Sequence, residues 1–163
     1  MEDKMRRGSV VVSSVIIALG ATALPSYSAE QTFKQQIQGA WNLVSCDAKT
    51  PICVNPNGSI SYNGNGRYTL VVTAKDRPKA THAAGTTREN VPPEYYKAIA
   101  QGVVANFGTW SVNEADKTIT SRSEGALFPN GIGNEAKTTV VSVTADEMKT
   151  NGTLGNAIWR RFK

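Results

Sequence analysis

The feature that most constrains this chain is the rhythm of its turns. From residue 38 onward, short apolar runs are broken by Asn55-Pro56-Asn57-Gly58, Asn63-Gly64-Asn65-Gly66, Asn113-Glu114-Ala115-Asp116-Lys117 and Asn151-Gly152. Asn and Gly accept the positive φ of tight hairpins, so each cluster reads as the end of one strand and the start of the next. A turn every eight to twelve residues or so predicts an all-β barrel or sandwich. Strands are expected over residues 38–47, 59–62, 66–74, 106–113, 118–124, 136–144, 147–150 and 157–162. One short helix is expected near residues 93–103. Pro92 and Pro93 suit a first helical turn, and Glu94 complements the positive end of the helix dipole. Tyr95, Ile99 and Val103 share one stripe that suits a barrel face or mouth. Residues 75–91 form a long polar connection that holds the sole histidine, His82.

The start of the chain has a different character. Lys4, Arg6 and Arg7 precede an uncharged apolar run over residues 10–24, followed by Pro25 and the small residues Ser26, Ser28 and Ala29. That is the layout of a secretory signal peptide, and the run is shorter than the roughly 20 residues of a membrane-spanning helix. Residues 1–28 are therefore expected to be removed, residues 29–37 to form an N-terminal arm, and residues 38–163 to form one domain. The expected location is periplasmic or secreted. With the leader gone the net charge falls from +5 to +4, spread along the chain, which gives no basis for nucleic-acid binding.

Two cysteines, Cys46 and Cys53, fall within the mature part, and export permits a disulfide between them. With one distant histidine they do not make a local zinc set. No Gly-x-Ser-x-Gly elbow or phosphate-binding glycine loop is present, so neither a cofactor nor a metal is expected, and no catalytic residue is assigned.

Strand alternation supplies the candidate interior. Tyr68, Leu70 and Val72 share one face, as do Trp41 with Leu43 and Trp110 with Val112. Arg122 and Glu124 share a face opposite Ile119, Ser121 and Ser123. Turned outward they are solvated; turned inward they would be a polar grip for a ligand. Phe128-Pro129-Asn130, with Gly131 and Gly133, makes an irregular corner suited either to a bulged turn or to a cavity entrance.

Gly39-Ala40-Trp41 opens the first strand, and Trp159-Arg160-Arg161-Phe162 closes the chain. This constellation resembles that of lipocalins, in which an arginine on the last strand packs across the tryptophan of the first; Arg160 or Arg161 is the candidate here. The resemblance gives Gly39, Trp41 and the arginine a structural role. A wider resemblance runs through residues 39–45, 58–62, 66–70, 74–78, 107–112 and 124–133, and is to the bacterial lipocalin-like domain family. It implies a single antiparallel up-and-down β-barrel of about eight strands around a cavity. In this chain Gly131 stands where family members often carry an aromatic, Ser121 lies near a histidine position, and Lys137 is the nearest base to an arginine position.

Three roles follow as expectations. The first is binding of a small hydrophobic or amphipathic ligand, with Tyr68, Trp110, Arg122, Glu124, Phe128, Asn130 and Lys137 as contacts. The second is a protein partner, such as a protease inhibited through the N-terminal arm. The third is isomerase- or cyclase-like chemistry at the barrel mouth, with Arg122, Glu124 or Tyr68 as acid–base groups.

Overall fold

The computed structural model describes residues 31–78 and 92–163. The leader and most of the polar connection, His82 included, lie outside the described residues. Eight antiparallel strands close into a barrel in sequential order: β1 (Gly39–Cys46), β2 (Pro56–Tyr62), β3 (Arg67–Ala74), β4 (Val103–Asn113), β5 (Thr118–Ala126), β6 (Glu135–Val143), β7 (Glu147–Gly152) and β8 (Gly155–Arg161). The turn rhythm predicts a barrel or sandwich, and the up-and-down barrel that the family resemblance implies is the fold. To the expected helix, α3 (Pro93–Gln101), the structure adds two shorter ones, α1 (Phe33–Ile37) and α2 (Pro51–Val54), and a 3-10 turn at Pro129–Gly131. Among the described residues no helix is long and apolar enough to cross a membrane.

The core fills the lower half of the barrel. Phe33, Ile37, Trp41, Tyr62, Trp110 and Ile119 are all buried there, and the Tyr62 and Trp110 rings meet at 4.9 Å. The expected N-terminal arm is the floor of this core. Thr32 and Gln35 cap α1 reciprocally: the Gln35 amide donates to Thr32 Oγ1 at 3.2 Å, and the Thr32 amide donates to Gln35 Oε1 at 2.9 Å. That sets Phe33 and Ile37, four residues apart, on the face turned into the barrel.

The floor also carries the closing seam. Trp41 on β1 is fully buried, and its indole N–H donates to the Ile37 carbonyl at 2.8 Å. Arg161 on β8 lays its guanidinium over that indole, 4.0 Å from the ring centroid. The same guanidinium donates to the carbonyls of Gln38 (2.6 Å), Gln36 (2.7 Å) and Ala145 (2.6 Å). Arg161 is therefore the sealing arginine, while Arg160 points outward and is exposed. Gly39 is required beside it: its φ is +120°, and a Cβ there would lie 2.6 Å from an Arg161 nitrogen.

Removing the guanidinium leaves its partly buried carbonyl acceptors without a donor. Arg161→Ala is expected to destabilise the protein by about 3 kcal/mol. Arg161→Lys should recover less than half of that loss, because an ammonium neither stacks flat nor forks to several acceptors. Urea denaturation followed by tryptophan fluorescence measures both.

Candidate functional site

Above the core the barrel narrows around a cavity of about 110 Å³. Alternation sets its lining. Tyr68 and Leu70 come from β3, Val104 and Asn106 from β4, Ser121 from β5, Ala136 and Thr138 from β6, Met148 and Thr150 from β7, and Trp159 from β8. Ile60 and Tyr62 on β2 complete the wall, and the β7–β8 hairpin with Leu154 at its tip forms part of the rim. Among the described residues no charged side chain takes part in this lining.

Most polar groups of the lining are engaged. The Trp159 indole N–H donates to Thr150 Oγ1 at 3.0 Å. Burial pushes the Tyr62 phenol well above its ordinary range, further raised by Tyr68 and partly offset by the Ser121 side chain at its hydroxyl. Burial likewise raises Tyr68, partly offset by Ser123. Asn106 differs. Its Oδ1 is buried and has no hydrogen-bond partner among the described residues. The pairing register explains this: Asn106 faces Leu70 across one ladder and Ala126 across the other, and neither offers a side-chain donor.

β5 is bulged at this level. Gly125 pairs with Phe107 and Ser123 with Gly108, so Glu124 is the extra residue. Gly108 permits the close approach, because a Cβ there would run into the Arg122 carbonyl oxygen. Below the bulge Ile119, Ser121 and Ser123 face inward and Arg122 faces out.

The rim is braced on one side by the β1–β2 connection. Cys46 and Cys53 are bridged, with Cα atoms 5.0 Å apart, and the bridge holds α2 with Ile52 buried against the core. The Ala48 amide donates to the Leu154 carbonyl at 3.2 Å. The Asp47 carboxylate accepts from the Asn156 side chain at 2.8 Å and from its backbone amide at 2.7 Å, and these bonds hold the Asp47 carboxyl below the usual range. None of the residues of α3 is fully buried, and its last residues, Ala100 and Gln101, share an open groove with Pro51 and Ile52 of α2.

The expected ligand contacts fall at several levels of the barrel, and the outward-facing ones need correction. Tyr68 lines the cavity. Trp110 faces inward but belongs to the floor, where its indole N–H donates to the Asn63 carbonyl at 3.0 Å. Arg122, Glu124 and Lys137 are exposed on the outer face, as the register of β4, β5 and β6 requires. Glu124 pairs with Arg67 at 2.7 Å, also outside. The inward polar grip is therefore replaced by its alternative, a solvated pair. Phe128 sits at the rim, 55% exposed, in an open apolar groove with Pro51, Ile52 and Val103. Asn130 is exposed in the 3-10 turn, where its carbonyl accepts from Asn134 Nδ2 at 3.1 Å.

Asn106, Thr138 and Thr150 were not read from the sequence as site residues. Ser121 and Thr138 follow from alternation once Arg122 and Lys137 are known to face water. Asn106 falls in the expected strand 106–113, but a neutral amide at its first residue carries no signal of facing a cavity.

The two buried phenols make stability pH-dependent in the alkaline range. An unfolded tyrosine ionises near pH 10, whereas these phenols stay protonated in the native barrel. The unfolded state then binds fewer protons, so stability is fully present below about pH 10 and falls as pH rises above it. Tyr62→Phe should remove most of that slope, measured by urea midpoints from about pH 8 to about pH 11.

The crystal structure of a lipocalin-like protein from Bacteroides uniformis is similar at a TM-score of 0.41 and 10% identity, over 78% of this chain and 99% of that one. No curated protein matches the chain. The model of the lipocalin-like domain family matches residues 38–161, from the last residue before β1 to the end of β8. The chain belongs to the lipocalin-like domain family.

Proposed function

We propose that this protein is exported and that its barrel takes up a small, partly apolar molecule. The observation that carries the reading is the cavity itself, with apolar walls from Ile60, Leu70, Val104, Met148 and Trp159 and a few polar groups facing the same space. Such a mixture is typical of small-molecule sites. Size narrows the class. At about 110 Å³ the cavity falls below the roughly 300–1,000 Å³ of drug-sized sites. It is closer to the engineered apolar cavity of about 150 Å³, in an unrelated protein, that accepts benzene. The ligand is then one ring or a short chain, well short of a long lipid.

The two other roles fit the geometry less well. Inserting the N-terminal arm into a protease would draw Phe33 and Ile37 out of the core. Acid–base chemistry at the mouth loses Arg122 and Glu124 to the outer face and keeps only Tyr68. Export rests on the leader layout of residues 1–28, with the disulfide in keeping.

Two measurements test these readings. Intact mass and N-terminal sequencing of protein from its host should give a chain beginning at Ala29. A membrane-bound chain that retains residues 1–28 overturns export. Native mass spectrometry of the same material should show a small adduct that is released on unfolding, and Val104→Trp, which fills the cavity, should lose it. An adduct that survives Val104→Trp, or its absence from wild-type protein, overturns the binding reading.

A further inference from the structure

We infer that Asn106 determines the specificity of this cavity, and that it selects an uncharged molecule bearing a hydrogen-bond donor: a single-ring phenol, a short alcohol or a primary amide. The inference rests on the cavity reading above and deepens it.

Asn106 Oδ1 is a buried acceptor in the cavity wall with no donor among the described residues. Its cross-strand neighbours, Leu70 and Ala126, cannot supply one. Several other polar side chains of the wall are engaged: Thr150 accepts from the Trp159 indole, Ser121 lies at the Tyr62 hydroxyl, and Ser123 lies at the Tyr68 hydroxyl. Because Asn106 lines the cavity, a turn of its side chain brings Oδ1 to a ligand O–H or N–H and satisfies an atom that the fold leaves unmatched. A pure hydrocarbon of the same shape buries that atom still unpaired. The difference is worth roughly tenfold to a hundredfold in affinity.

The same wall rejects anions. Among the described residues it has no cation, since Arg122 and Lys137 are exposed on the outer face and Arg67 is paired with Glu124. A carboxylate in the cavity would be desolvated without a counter-charge and would face an acceptor oxygen. Fatty-acid anions are therefore excluded by charge as well as by size.

The test uses three probes of similar shape, phenol, toluene and benzoate, titrated into the full mature protein by calorimetry. Phenol should bind at least about tenfold more tightly than toluene, and benzoate should show no binding. In Asn106→Leu the phenol-to-toluene preference should fall to about one or reverse. In wild-type protein the Asn106 side-chain amide resonances should move with phenol and stay fixed with toluene, a readout that does not depend on the variant folding. An unchanged preference in a folded Asn106→Leu variant, unmoved Asn106 resonances, or toluene binding as well as phenol overturns the role of Asn106 alone. Benzoate binding as tightly as phenol overturns the uncharged class. Failure of every probe to bind overturns the cavity reading and this inference with it.

Discussion

The guanidinium of Arg161 against the indole of Trp41 is the contact on which the rest of the barrel depends. A sheet of eight strands has two raw edges until its first and last strands meet. Here they meet around one side chain. Arg161 stacks on β1, donates to the chain entering β1 at Gln36 and Gln38, and reaches the β6–β7 turn at Ala145. Trp41 then holds α1 through the Ile37 carbonyl, and α1 supplies the apolar floor. Sheet closure, the docking of the N-terminal segment and the sealing of one end are thus a single arrangement.

A sealed floor and a continuous ladder impose a strict division between inside and outside. Every second side chain faces the interior, and the bulge at Glu124 adjusts the alternation where β5 rises to the rim. The charges end up outside and the neutral polar groups inside. The interior thereby becomes a place for shape and hydrogen bonding rather than for ion pairing. That follows from the register of three strands and from no single residue.

Much of this was legible in the sequence because hairpin turns leave a chemical mark. Asn63-Gly64 and Glu114 to Lys117 fall between strands as read, and the faces of β1, β3 and β4 follow from plain alternation. The strand ends were less legible. β2 begins at Pro56 and β4 at Val103, both inside stretches that looked like turn or helix continuation. Tertiary pairing extends them, with Pro56 opposite Ala74 and Val103 opposite Thr73. The site was the least legible part. A charged residue attracts attention as a ligand contact, yet charge is what keeps Arg122, Glu124 and Lys137 in water. Serine, threonine and asparagine mark nothing until the register assigns them a side. The choice between Arg160 and Arg161 was likewise a matter of one residue in register.

The seam between β1 and β8 is fastened at both ends, by Arg161 at the floor and by Asp47 holding Asn156 at the rim. These partners are 123 and 109 residues apart in the chain. Neither fastening exists until β8 has been synthesised, and the loop each closes is nearly the whole domain. Non-local closure of this kind is slow. Until β8 joins, the sheet stays open, with β1 paired to β2 on one edge and bare on the other.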